Sequence, residues 1–144
     1  MGEDGGRIVV GVDGSDPAKA ALRWAADQAV LTEAHIDAVI AWEYPLFSVG
    51  RVLLPPEDPE SIARRVLAEA VDQTLGPGRE VDVRQRVIGG HPAQTLVDMA
   101  QGALLLVVGS RGFGTFSAAL LGSVAQHCVQ HAPCPVVVVR GPGR

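Results

Sequence analysis

The sequence predicts an α/β fold: a single open five-stranded parallel sheet with helices on both faces. Three observations lead there. Short strand-like runs alternate along the chain with segments of helical periodicity, which is the pattern of βαβ units. Two of the runs, residues 8–12 (IVVGV) and 104–108 (LLLVV), are apolar throughout, as strands covered on both faces must be. The segments between strands are about ten residues or longer, enough for the crossovers that parallel strands require.

Taken in order, residues 7–13 (RIVVGVD) form the first strand and end at Gly14-Ser15. Asp16 followed by Pro17 reads as an N-cap with proline at the first helical position. Ala21, Leu22, Ala25, Ala29 and Val30 then fall on one stripe of a helix. Residues 36–42 are the second strand. Residues 43–58, with Pro45, Pro55 and Pro56, make the one long loop before a helix carrying Ile62, Val66, Leu67, Ala70 and Val71. Residues 81–88 alternate, with Val81, Val83, Gln85 and Val87 against Asp82, Arg84 and Arg86, so this third strand is half exposed, as at a sheet edge. Gly89-Gly90 turns the chain, and His91-Pro92 opens a third helix with Leu96, Val97 and Ala100. The apolar strand 104–108, a glycine-rich loop, a helix over 123–131 ended by Pro133, and a strand from Pro135 to Val139 complete the chain.

Composition narrows the function. The 144 residues suit one domain spanning positions 1–144. Net charge is −4 and the arginines are scattered, so there is no basic stripe for nucleic acid. Apolar residues make up 47% of the chain, yet no stretch approaches the roughly 20 apolar residues of a membrane span. The opening MGEDGG carries acids where a secretory leader would carry bases, so a cytoplasmic location is expected. Cys128 and Cys134 read as reduced, buried small hydrophobes.

The richest segment is the fourth strand together with its loop and the next helix. Gly109, Gly112 and Gly114 lie in the loop, and Gly122-Ser123 opens the helix, giving the spacing Gly109-x2-Gly112-x9-Gly122-Ser123. A strand, a glycine-rich turn and a helix N-terminus together form an anion cradle: glycine lets the backbone approach, and free N–H groups with the helix dipole attract phosphate. This spacing resembles the nucleotide-binding signature of the universal stress protein family, in its ATP-binding branch. The opening IVVGVDGSDPAKAALRWAADQA and the closing GALLLVVGSRG and HAPCPVVVVR are similar to the same family, so the resemblance covers nearly the whole chain.

The resemblance implies the fold of the adenine nucleotide alpha hydrolase-like proteins with strand order 3-2-1-4-5, an order that periodicity alone does not give. In such a sheet the ligand sits at the carboxyl ends of the strands where the winding reverses, between the first and fourth. It further implies ATP with Mg²⁺ as ligand. Asp13 would meet the adenine or ribose side, with Gly11 and Val12 lining the same wall. Ala41 would offer backbone contacts to the adenine edge, with Val108 packed nearby. Gly109, Ser110, Arg111, Gly112, Phe113, Gly114 and Thr115 would wrap ribose and phosphates. Gly122, Ser123 and Val124 would hold the terminal phosphates, Ser123 with Mg²⁺. The exposed valine strand Pro135 to Val139 would need cover, and a homodimer through it is the economical answer. Two departures stand out: Leu104 occupies a position where relatives often carry an acid, and Val124 replaces a second hydroxyl seen in some of them.

No fast catalyst is assembled here. A Walker lysine after the glycines, paired carboxylates and a base to activate water are all missing. The expectation is a regulatory ATP-binding protein rather than an enzyme. The alternatives are a slow adenine-nucleotide hydrolase, or a universal stress protein that does not bind nucleotide. A phospho-acceptor domain would want further acids beside Asp13 and a lysine after the last strand. His127 and His131 share a helix face, but Cys128 points elsewhere and Cys134 lies past the Pro133 break, so no metal centre is expected from the four.

Overall fold

The computed structural model describes residues 6–43, 58–112 and 121–141. Most of the proline-bearing loop, and Phe113, Gly114 and Thr115 of the glycine loop, lie outside the described residues. The elements are β1 (Arg7–Gly11), α1 (Asp16–Thr32), β2 (His35–Trp42), α2 (Pro59–Leu75), β3 (Val83–Gly89), α3 (Pro92–Met99), β4 (Leu105–Gly109), α4 (Ser123–His131) and β5 (Val136–Val139). The five strands form one parallel sheet in the order β3-β2-β1-β4-β5, so the central strands include the two wholly apolar ones and the alternating strand is an edge.

Each strand face feeds a separate core layer. Ile8, Val10, Ile36 and Val107 pack with Leu22 of α1 and Leu67 and Val71 of α2. On the other face, Val9, Val39 and Leu106 pack with Leu96 of α3 and Cys128 of α4. Successive residues of one strand therefore point to opposite layers, which is why an unbroken apolar run is needed.

Several predicted boundaries move. α1 is capped by Ser15, not Asp16: the Ser15 hydroxyl accepts the Ala18 N–H at 3.4 Å, and Asp16 and Pro17 are its first residues. The serine reaches the third helical N–H, while proline, lacking an N–H, is tolerated anywhere in the first turn. β1 stops at Gly11, although the Val12 N–H still reaches the Val39 carbonyl at 2.8 Å. β4 starts one residue late, leaving Leu104 41% exposed. β3 begins at Val83, and Gln85 is exposed between the inward Val83 and Val87.

The amino end of the sheet is held by charge. Asp37, 2% exposed, has Arg7 at 3.6 Å, His35 at 3.6 Å and Arg86 at 3.5 Å. Arg7 also donates to the carbonyls of Met99 and Gln101, tying the end of α3 to β1 and, through Asp37, to β2. A carboxylate this buried is tolerable only with such company.

The two cysteines differ in access. Burial pushes the Cys128 thiol up to about 11, with the neighbouring Cys134 thiol adding to the effect. Cys134 is raised too, by burial, with Arg7 opposing. The neutral Cys128 thiol stabilises the fold fully below its unfolded value of 9.0, and that contribution is lost as pH rises toward about 11. Alkylation of native protein at mildly alkaline pH is therefore expected to mark Cys134, which is partly exposed, and to spare Cys128 until denaturant is added. Peptide mapping by mass spectrometry reads this directly; equal labelling of both under native conditions would contradict the packing.

Candidate functional site

A cleft of about 310 Å³ opens at the carboxyl ends of β1 and β4, where the winding of the sheet reverses. Gly11, Val12, Asp13, Ala41, Val108, Gly109, Arg111, Gly112, Gly122, Ser123 and Val124, all predicted from the sequence, line it together. A second cavity of about 300 Å³ shares Val12, Asp13, Ala41 and Pro92 with the first and runs under the start of α2, against Pro59, Ile62, Ala63 and Val66.

Local chemistry explains how this shape is held. After Val12 the chain turns: Asp13 Oδ1 accepts both the Ser15 N–H, at 2.9 Å, and the Ser15 hydroxyl, while Gly14 takes φ +86°. That turn fixes the Asp13 carboxylate, with its other oxygen toward Gly112, where an added Cβ would lie 2.7 Å from it. Gly109 is pressed just as closely onto α1. A Cβ there would lie 2.7 Å from the Pro17 carbonyl carbon and 2.9 Å from the Ala18 nitrogen. Gly11 leaves room for Leu96, which would otherwise stand 2.7 Å from a Cβ.

The two ends of the glycine loop meet. Ser110 donates its N–H to the Val139 carbonyl at 2.8 Å, and its own carbonyl accepts the Gly122 N–H at 2.7 Å. Ser110 is buried and is not among the residues lining the cleft; its backbone ties the loop to β5 and to the start of α4. Gly122, not Ser123, is the N-cap of α4.

The helix starts fall into two classes. α1 and α2 are capped by the side chains of Ser15 and Asp58. α3 and α4 begin at His91 and Gly122 with no side-chain cap bond, and their first residues, Pro92 and Ser123, line the cleft. First-turn N–H groups without a side-chain cap, at the positive end of a helix dipole, are an anion-binding surface.

Sequence reasoning missed Ala18, Val39, Pro92, Leu96 and Ala125 as cleft lining. Leu96 and Ala125 also belong to the core layer, so their apolar character gave no separate signal. Pro92, at the mouth of α3 directly after a glycine turn, was the one with a readable cue. Of the His/Cys set, His127 and His131 have ring centroids 4.4 Å apart, and Cys128 is wholly buried in the core layer. Among the described residues no three His, Cys, Asp or Glu side chains are placed to share an ion, and no helix is long and apolar enough to cross a membrane.

Comparison with known proteins agrees with this fold. Residues 6–140 match the Universal stress protein family. Universal stress protein Rv2623 of Mycobacterium tuberculosis is 34% identical over 138 residues, covering 92% of this chain but 46% of its own length. The chain spans about half the length of the curated relatives it matches. Among solved structures, a universal stress protein in complex with cAMP is similar, with 30% identity and TM-score 0.67 over 93% of this chain and 95% of that one. A universal stress protein from Archaeoglobus fulgidus in complex with dAMP has 31% identity and TM-score 0.64, over 92% and 96%.

Proposed function

The chain belongs to the universal stress protein family, and we propose that within it this protein is a cytoplasmic regulatory module that binds ATP with Mg²⁺ and shows different surfaces to its partners when loaded and empty. The observation that carries this reading is the convergence of the capless starts of α3 and α4 on a glycine-lined cleft at the switch point. The nucleotide base would lie toward Ala41 and the second cavity, with Asp13 at the ribose. Phosphates would run along Gly109, Arg111 and Gly112 to the N–H groups of Ser123 and Val124. Mg²⁺ would enter on the phosphate oxygens, with the Ser123 hydroxyl as a protein donor, since no cluster of acids stands ready for it among the described residues.

The outer edge of β5 supports a second part of the proposal. Its four valines are each only half buried, and β4 is its one partner among the described strands. Pairing of this edge with the same edge of a second copy would cover them.

The test is calorimetric titration of Mg²⁺·ATP into purified protein, together with mass spectrometry of any small molecule released on denaturation. Saturable binding, or co-purified adenine nucleotide, is the expected result. Absence of both would leave the glycine loop a structural element and the protein outside the nucleotide-binding members. The cAMP and dAMP complexes of the solved relatives favour one variant of the reading, a monophosphate ligand. AMP and cAMP titrated in parallel decide between them, by which ligand binds tightest.

A further inference from the structure

We propose that His127 and His131 form a two-nitrogen site for a borderline divalent transition ion, zinc among them, on the second half of α4. The two residues sit one helical turn apart, so their side chains rise from the same face. Their rings lie 4.4 Å apart between centroids and are tilted by 42°, not stacked face to face. Small rotations about the ring torsions, which are soft for histidine, can bring one nitrogen of each to a shared ion at about 2.0–2.1 Å.

The second observation is an unmet bonding demand. The Nε2 atom of His127 is shut off from solvent and has no hydrogen-bond partner among the described residues. Such an atom costs free energy wherever the ring keeps it. A metal ion is one of the few partners that could meet the demand while also engaging the exposed His131 beside it. The position adds a favourable field. His131 is the sole basic residue of the last turn of α4, where the helix dipole presents its negative end to a cation.

The donor set selects the ion. Imidazole nitrogens suit zinc, copper and nickel, whereas magnesium and calcium ask for oxygens that this pair does not supply. Two protein ligands leave the other positions to water, so loading turns the His127 Nε2 outward beside the exposed His131 and the site is exchangeable, unlike a closed structural zinc centre. Neither histidine lines the cleft, His127 being one helical turn beyond Ser123 and His131 two, and nothing in the pair depends on the nucleotide reading.

The experiment is titration of zinc chloride into tag-free, chelator-stripped protein, followed by calorimetry and thermal unfolding. One saturable zinc per chain and a raised melting temperature are expected. His131→Gln, an exposed substitution that circular dichroism can check for retained fold, should weaken binding at least tenfold and abolish the thermal shift. Cys134→Ser should leave both unchanged. Absence of saturable binding to the parent, full binding in His131→Gln, or loss of binding confined to Cys134→Ser would each overturn the assignment.

Discussion

Gly122→Glu is expected to abolish ATP binding in a protein that remains folded. Gly122 is buried but has φ −66° and ψ 163°, an ordinary extended conformation, so its backbone dihedrals are those any residue adopts. The N–H bond to the Ser110 carbonyl survives as well, since glutamate keeps its amide. What changes is the cleft: a carboxylate enters at the start of α4, where the phosphates are proposed to sit. Two like charges about 4 Å apart repel by about 4 kcal/mol at a near-surface effective dielectric constant. Even a third of that is a tenfold loss of affinity. Gly122→Ala separates charge from bulk, because it adds the Cβ alone and should weaken binding far less. Calorimetry on both variants, with unfolding curves beside it, tests the placement. A folded Gly122→Glu protein that binds ATP like the parent would put the phosphates elsewhere.

Gly109→Ala is expected to be the more damaging change to the fold itself. The new methyl would sit 2.7–2.9 Å from the Pro17 carbonyl carbon and Cβ and from the Ala18 nitrogen. Two of these are backbone atoms of the first turn of α1, which cannot swing aside as a side-chain tip could. Overpacking of this kind costs about 1–3 kcal/mol, and the upper end fits a clash with helix backbone. Urea unfolding should show a lower midpoint with an unchanged slope. The same displacement would move Ser15 and with it the Asp13 carboxylate, so residual folded protein should also bind nucleotide more weakly. A loss below about 0.5 kcal/mol, the range of an ordinary surface change, would show that β4 and α1 are not pressed together there.

Most of this architecture was legible because it rests on one-dimensional pattern. Apolar runs without alternation marked β1 and β4 as strands covered on both faces, the arginines of the alternating run marked β3 as half exposed, and the family resemblance supplied the strand order. The glycine spacing located the cleft, because a backbone that must pass close to another group permits nothing larger, as Gly11, Gly109 and Gly112 each show. Features set by a choice between neighbours were less legible. Ser15 and Asp16 are both good caps, and only the distance to the Ala18 N–H selects the serine. The motif gave no sign that the Ser110 backbone would bridge β5 and the start of α4, because those bonds join residues far apart in the chain. The floor of the cleft was hidden for a different reason. Leu96 carries the same helical periodicity whether its outer surface meets protein or a ligand.

Asp37 and its three basic neighbours give the molecule two unlike ends. At the amino end of the sheet, charged groups draw three strands and the tail of α3 together. At the other end, glycines and bare helix starts leave donors in waiting. The charged strap and the proposed recognition cleft thereby lie about a strand's length apart, although Gly109, Leu96 and Ala125 serve both packing and cleft. Such a separation makes the recognition end divisible from the rest: its loops can be exchanged for others of the same span while the strapped end keeps the sheet in register.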